Sequence, residues 1–141
     1  MGLALNKEEL VEFLAREFPQ VSGEFTIEAL DEAQLSVRLN VGERHLRPGG
    51  TVSGPSMFGL ADVAMYLAVL SHIGPEALTV TTSCNIDFMR KPAAGKDLIA
   101  ECRILKLGRV LAVGDVLICS EGSDKPVARA SLTYSIPPKV V

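Results

Sequence analysis

Asp62 lies in Met57-Phe-Gly-Leu-Ala-Asp62-Val-Ala-Met-Tyr66, a run with no other charged side chain. An unpaired carboxylate in apolar surroundings costs several kcal/mol or is driven to take a proton, so this one needs a partner or a task. A capping contact or an arginine partner is the structural explanation. The chemical one is a general base or nucleophile, because desolvation of a carboxylate raises its proton affinity. Eight residues upstream, the amides around Gly54, Ser56 and Met57 open the same apolar run. First-turn amides of a helix lack intrahelical partners and suit a polarised carbonyl or an anion. At about 1.5 Å of rise per residue, Gly54 and Asp62 are about 12 Å apart on one helix. A single carbonyl carbon cannot touch both. If both act on one carbonyl, donor and carboxylate come from two antiparallel copies of the helix, and the spacing predicts a dimer with composite sites at its interface.

These residues need elements to carry them. The segment 55–71 holds no charge but Asp62, opens on Pro55 and is apolar nearly all round, which predicts a central helix buried on most sides. Asn6 with Glu9 reads as a capping box, and Leu10, Phe13, Leu14 and Phe18 recur at helical spacing until Pro19, giving an N-terminal helix over 6–18. Period-two alternation marks strands near 25–30, 35–41, 78–89, 97–107, 109–121 and 126–136. Leu98, Ala100, Cys102 and Ile104 share one face, as do Ala128, Ala130, Leu132, Tyr134 and Ile136, so one side of the sheet meets a core. With Gly108 and Gly122 at the connections, the last four strands read most simply as an antiparallel meander. The expectation is one α+β domain over 1–141, an antiparallel sheet curled around a long helix.

Composition removes several classes of function. The chain has 141 residues, enough for one core and too few for two. Its 14 Lys and Arg against 17 Asp and Glu leave a net charge of −3, with no basic excess to neutralise nucleic acid. Cys84, Cys102 and Cys119 are widely spaced and form no CxxC, so free thiols in a reducing cytoplasm fit better than disulfides or zinc. The apolar run containing Asp62 is short for a membrane crossing, and the N-terminus carries charges where an export signal needs an apolar core. His45 and His72 are distant from each other, so neither a metal site nor a Ser53 triad is indicated; Ser53 suits a helix cap.

The stretch Gly50-Thr-Val-Ser-Gly-Pro-Ser-Met-Phe-Gly-Leu-Ala-Asp62 resembles a motif of the hot-dog-fold acyl-CoA thioesterases of the phenylacetate-pathway type: Gly-Thr-x-His-Gly-Gly, six residues, then Asp. Asn85-Ile-Asp-Phe-Met-Arg-Lys-Pro-Ala-Ala-Gly95 and Lys106-Leu-Gly-Arg109 are similar to the family's later strands and turn. The resemblance covers roughly 41–136. It implies a hot-dog fold of about six antiparallel strands around the helix, assembled as homodimers or homotetramers built from dimers. It further implies Asp62 as general base or nucleophile, the Gly54 amide as oxyanion donor, and Thr81 as a hydroxyl orienting the attacking water. The chain departs from the family at two points. Ser53-Gly54-Pro55 stands for His-Gly-Gly, and Arg47 stands where many members carry asparagine beside the thioester.

The expected activity is hydrolysis of an acyl-CoA thioester, with Ser53 and Arg47 lining the thioester and Arg90, Lys91 and Arg109 on the CoA phosphates. Lys106 is a further candidate there. Met57, Phe58, Met65 and Tyr66 are candidates for an acyl pocket, although such residues are more often plain core. No prosthetic cofactor is expected, CoA being part of the substrate. The departures at Ser53, Pro55 and Arg47 favour a competing reading, a non-catalytic acyl-CoA-binding or regulatory module. An acyl-thioester hydratase or dehydratase on the same fold would need a histidine that the helix region lacks.

Overall fold

A computed structural model describes residues 2–138; residues 1 and 139–141 of the single domain read from the sequence lie outside that span. In chain order the elements are α1 (Lys7–Glu17), α2 (Pro19–Ser22), β1 (Phe25–Leu30), β2 (Leu35–Leu39), a 3-10 turn (Glu43–His45), α3 (Gly54–Ile73), β3 (Val80–Phe88), β4 (Leu98–Leu107), β5 (Leu111–Ser120) and β6 (Pro126–Ser135). The Asn6 side chain accepts from the Glu9 amide at 2.8 Å while Glu9 Oε1 accepts from the Asn6 amide at 3.0 Å, so the capping box is formed. Pro19 stops α1 and opens the short α2, where a missing N–H is no loss. Phe18 therefore leaves the buried stripe of Leu10, Phe13 and Leu14 and stands edge-on to Tyr66, ring centroids 6.4 Å apart.

All six strands form one antiparallel sheet in the order β1-β2-β4-β5-β6-β3. This corrects the four-strand meander: β4, β5 and β6 are hairpin neighbours, but β3 lies at the far edge against β6. Gly108 and Gly122 lie in the two short turns, whereas the longer 89–97 connection carries the chain across the end of the sheet to β4. Alternating apolar residues specify a strand's faces but not its neighbour.

The sheet wraps α3, which contacts β2, β3, β4, β5 and β6. Leu60, Ala64, Met65, Leu67, Val69 and Leu70 are fully enclosed, against Val37, Leu98, Ala100, Ala112, Ile118 and Leu132 from the strands. That envelopment explains why α3 shows no polar stripe. By length and composition it passes as a membrane span, yet it is mostly buried inside this sheet. The fit is closest at Gly114 of β5, where an added Cβ would come within 2.6 Å of Met65 Sδ and 3.0 Å of the Arg103 carbonyl. Met65 in turn receives the Cys102 thiol at 3.7 Å, and burial, then Asp115, pushes that thiol up to about 12. On the outer face Arg38 reaches Glu28 at 2.7 Å and both Asp97 and Glu121 at 2.9 Å, joining β1, β2 and the β5–β6 turn to the start of β4.

Candidate active site

Asp62 is half-buried, not buried as the sequence suggests, because a cavity opens beside it where α3 meets the start of β3 and the end of β6. Its Oδ1 accepts two hydroxyls, Thr81 Oγ1 at 2.6 Å from β3 and Tyr134 OH at 2.6 Å from β6. The Tyr134 oxygen also lies 2.8 Å from the Asp62 carbonyl. Burial and the neighbouring carboxylate push the Tyr134 phenol well above its ordinary range, so it keeps its proton and acts as donor. No described residue hydrogen-bonds Asp62 Oδ2. The carboxylate is thus held by one oxygen, and the other is unengaged among the described residues. Hydrogen bonds to a charged acceptor are worth about 1.5–3 kcal/mol each, ample to fix the rotamer.

Tyr134 is the site residue that the sequence reading missed as such. The available signal was a hydroxyl at the end of an otherwise hydrophobic row, Ala128, Ala130, Leu132, Tyr134, since a buried tyrosine OH usually finds a partner. Thr81 is where the resemblance puts it, but its proton goes to the carboxylate.

At the other end of the site, Ser53 caps α3: its Oγ accepts from the Ser56 amide at 3.3 Å, and the Met57 amide bonds the Ser53 carbonyl at 3.1 Å. Pro55 has no N–H. Among the described residues Gly54 is therefore the first-turn amide with no acceptor. Phe88 of β3 packs over this glycine; an added Cβ would lie 3.3 Å from the ring. The preceding loop is anchored by His45, which is buried. The Gly42 amide donates to its Nδ1 at 2.8 Å, which leaves Nε2–H to donate to Glu24 at 2.7 Å. The His45 carbonyl then accepts from the Ser53 amide at 2.8 Å, tying that anchor to the helix cap.

The structure does not gather the other nominated residues around one point. Arg47 is exposed at the base of the loop closed by the Leu46–Val52 bridge, its amide bonded to the Thr51 carbonyl. Arg90 and Lys91 are exposed just after β3, at the sheet end that holds Phe88 and Gly54. Arg109 is in the β4–β5 turn at the opposite end, where Leu111 pairs with Ser135. A strand of this length spans about 30 Å, so Arg109 and Arg90 of one copy do not meet on one ligand. Met57 is buried in the core and does not line the cavity beside Asp62, because its side of α3 faces the sheet; Met65 is enclosed likewise. Phe58 is part-exposed, and Tyr66 is the one of the four acyl-pocket candidates that lines this cavity.

The cavity measures about 460 Å³ and lies between α3, the start of β3, the end of β6 and the end of α1. Its walls include Asp62, Thr81, Tyr134, Tyr66, Phe18 and Thr79. Among the described residues no group of three His, Cys, Asp or Glu side chains is arranged to hold a metal ion. What the arrangement offers is an anchored carboxylate beside an apolar cavity, and a free backbone donor at a separate place.

Comparison with known proteins gives the family. The sequence profile of the thioesterase superfamily matches residues 49–127. The crystal structure of a candidate thioesterase from Silicibacter sp. TM1040 is 60% identical, covers 98% of this chain and 96% of its own, and superposes with a TM-score of 0.92. The PaaI phenylacetic acid degradation protein of Thermus thermophilus is 30% identical over 84% of this chain and 99% of its own, with a TM-score of 0.72. Human acyl-coenzyme A thioesterase 13 is 27% identical over 120 residues, 84% of each chain. The chain belongs to the thioesterase superfamily and is, by that membership, a thioester hydrolase.

Proposed function

We propose that the chain hydrolyses an acyl-CoA thioester to the free acid and CoA, each site being completed by Asp62 of one copy and the Gly54 amide of another. The observation that carries this reading is the Asp62 carboxylate, fixed through Oδ1 by Thr81 and Tyr134 with Oδ2 unengaged. A water on Oδ2 gives its proton to the carboxylate as its oxygen attacks the thioester carbonyl carbon. The Gly54 N–H and the α3 dipole receive the oxyanion, a contribution of about 3 kcal/mol for such a donor. Collapse breaks the C–S bond, and the proton passes from Asp62 to the departing CoA sulfur. In the nucleophilic variant, Oδ2 itself forms an anhydride with the acyl group while CoA leaves, and water then cleaves it. Single turnover in ¹⁸O-water separates the two, because only the anhydride route can leave label in Asp62.

The composite arrangement rests on two further facts. Gly54 and Asp62 are two turns of α3 apart, beyond reach of one carbonyl. In addition, among the described residues β3 pairs only with β6, so its other edge is open, with Val80 and Phe88 more than half exposed on the strand. An open sheet edge is a surface on which a second copy can pair. Antiparallel helices in such a dimer bring the Gly54 end, with Arg47, Arg90 and Lys91 for the CoA phosphates, against the partner's Asp62 end. A dimer of such dimers is compatible with the same contact. The name of the human relative supports acyl-CoA as substrate class. The three cysteines are free thiols, which suits a reducing cytoplasmic compartment, and the reaction as written uses no prosthetic group.

The test is thiol release from short-chain, medium-chain and aryl acyl-CoAs, wild type against Asp62→Asn. Loss of the base is expected to cut turnover by about 10²- to 10⁴-fold. A variant as fast as wild type would remove Asp62 from the mechanism.

A further inference from the structure

The loop 42–53 carries the chain into α3, and His45 and Val52 are its only buried residues. Val52 is an apolar plug, bridged to Leu46 across the loop. His45 is the polar anchor, and each of its hydrogen-bonding groups is engaged. The ring nitrogens bond the Gly42 amide and the Glu24 carboxylate, the backbone N–H donates to the Gly42 carbonyl at 3.0 Å, and the backbone carbonyl accepts from Ser53. Glu24 stands outside the loop, between α2 and β1, and its Oε1 also meets Arg44 at 3.4 Å. An apolar anchor fixes how deep a loop sits, whereas a ring bonded through both nitrogens fixes its rotation as well.

Rotation matters at residue 45 because of what its carbonyl holds. The Ser53 N–H ends on that carbonyl at 2.8 Å, and the Ser53 carbonyl ends on the Met57 amide at 3.1 Å. Ser53 is therefore tied on both sides, at φ −75° and ψ 157°. The Gly54 N–H belongs to the same planar peptide unit as the Ser53 carbonyl and points the opposite way, so its direction is set once Ser53 is set. One tie comes from α3 itself; the other leads back through His45 to Glu24. We propose that His45, oriented by Glu24, is a positioning residue that aims the Gly54 amide at the oxyanion. This deepens the hydrolase reading and rests on it for the identity of the donor. Arg47 depends less on this anchor, because its N–H bonds the Thr51 carbonyl and its carbonyl accepts from Gly50 within the loop. Loss of the ring's bonds is thus expected in kcat and not in KM.

Three variants test this on acyl-CoA. His45→Phe keeps an aromatic ring and removes both ring hydrogen bonds, Glu24→Leu removes one of them, and Glu24→Gln keeps an oxygen acceptor for Nε2–H. In His45→Phe and Glu24→Leu, kcat is expected to fall about 10- to 100-fold with KM within about twofold, while Glu24→Gln stays within about threefold of wild type. The double variant should lose no more than His45→Phe alone, because the two residues act as one unit. Gly114→Ala serves as the control for a merely structural loss, weakened in denaturant unfolding with kcat kept. Unchanged kcat in His45→Phe, or a Glu24→Gln as slow as Glu24→Leu, would overturn the proposal. Should His45→Phe not fold, the two Glu24 variants decide it by themselves. Failure of the hydrolase reading looks different, since wild type then cleaves no acyl-CoA. In that event amide hydrogen exchange decides whether His45 positions the Ser53–Gly54 unit. Faster exchange at the Ser53 amide in His45→Phe and Glu24→Leu, with the middle of α3 unchanged, supports it, and unchanged protection at Ser53 overturns it.

Discussion

The two ends of the site are built from different materials. At the start of α3 the proposed working group is a backbone amide, left without an acceptor because Ser53 caps Ser56, Met57 bonds back to Ser53 and Pro55 has no proton to give. Two turns later it is a side chain, Asp62, fixed by hydroxyls from β3 and β6. The first end is local chemistry: a handful of consecutive residues determine it. The second requires Tyr134 to travel 72 positions to meet Asp62. A donor made from backbone tolerates changes of side chain around it, which accounts for serine and proline standing in the Ser53-Gly54-Pro55 turn. A carboxylate held by two specific hydroxyls has no such latitude.

The sharpest way to break this contrast is complementation. Gly54→Val crowds the amide end against Phe88, which is half-exposed and able to yield without unfolding the chain. Asp62→Asn disables the other end. Each variant alone should be inactive. Mixed and allowed to exchange subunits, they should recover about a quarter of wild-type activity, since half the dimers are mixed and each has one intact site. No recovery from two folded, exchanging variants would place both groups of each site in one copy.

Within the Asp62 end, Tyr134→Phe removes one charge-assisted hydrogen bond and keeps the ring. The expected loss in kcat is about 10- to 100-fold, with KM little changed. An equal rise in KM would assign the tyrosine to substrate binding instead.

Two smaller effects concern the frame. Gly114→Ala pushes a methyl into Met65 and the Arg103 carbonyl and should cost about 1–3 kcal/mol in denaturant unfolding. Because that contact is distant in the fold from the Gly54 amide, the loss should appear in stability before activity. Acid provides the last test. The Val41 amide, and then Arg38 against the opposing effect of burial, hold the Asp97 carboxyl below its usual range. A depressed folded pKa supplies stability above the unfolded value of about 4 and loses it as pH falls through the folded one. The melting temperature should therefore decline below about pH 4, with a shallower decline in Asp97→Asn.

Much of this was legible before any coordinates. The capping box at Asn6, the cap at Ser53, the apolar helix with a single carboxylate and the positions of six strands all follow from short-range pattern, because capping and periodicity depend on residues within a turn or two. Even the separation of Gly54 from Asp62 follows from the rise of a helix. The order of the strands does not follow, because β3 and β4 are consecutive in sequence yet separated in the sheet by β5 and β6. Pleat alternation says which face is inside and is silent on which strand is next door.

The sequence by itself determined that this chain carries an acid in an apolar helix that starts two turns before it, and its likeness to a thioesterase motif. Only the tertiary structure decided how that acid is held. Tyr134 lies near the end of β6 and Thr79 just before β3, and each reads in the sequence as one more residue of an alternating row. Packing the sheet around α3 gives Tyr134 a carboxylate to hold and leaves the Thr79 hydroxyl facing no partner. Local pattern fixes which atoms are available. Which of them meet is a property of contacts between segments far apart in the chain, and it is those meetings that turn Asp62 from an isolated charge into an anchored carboxylate.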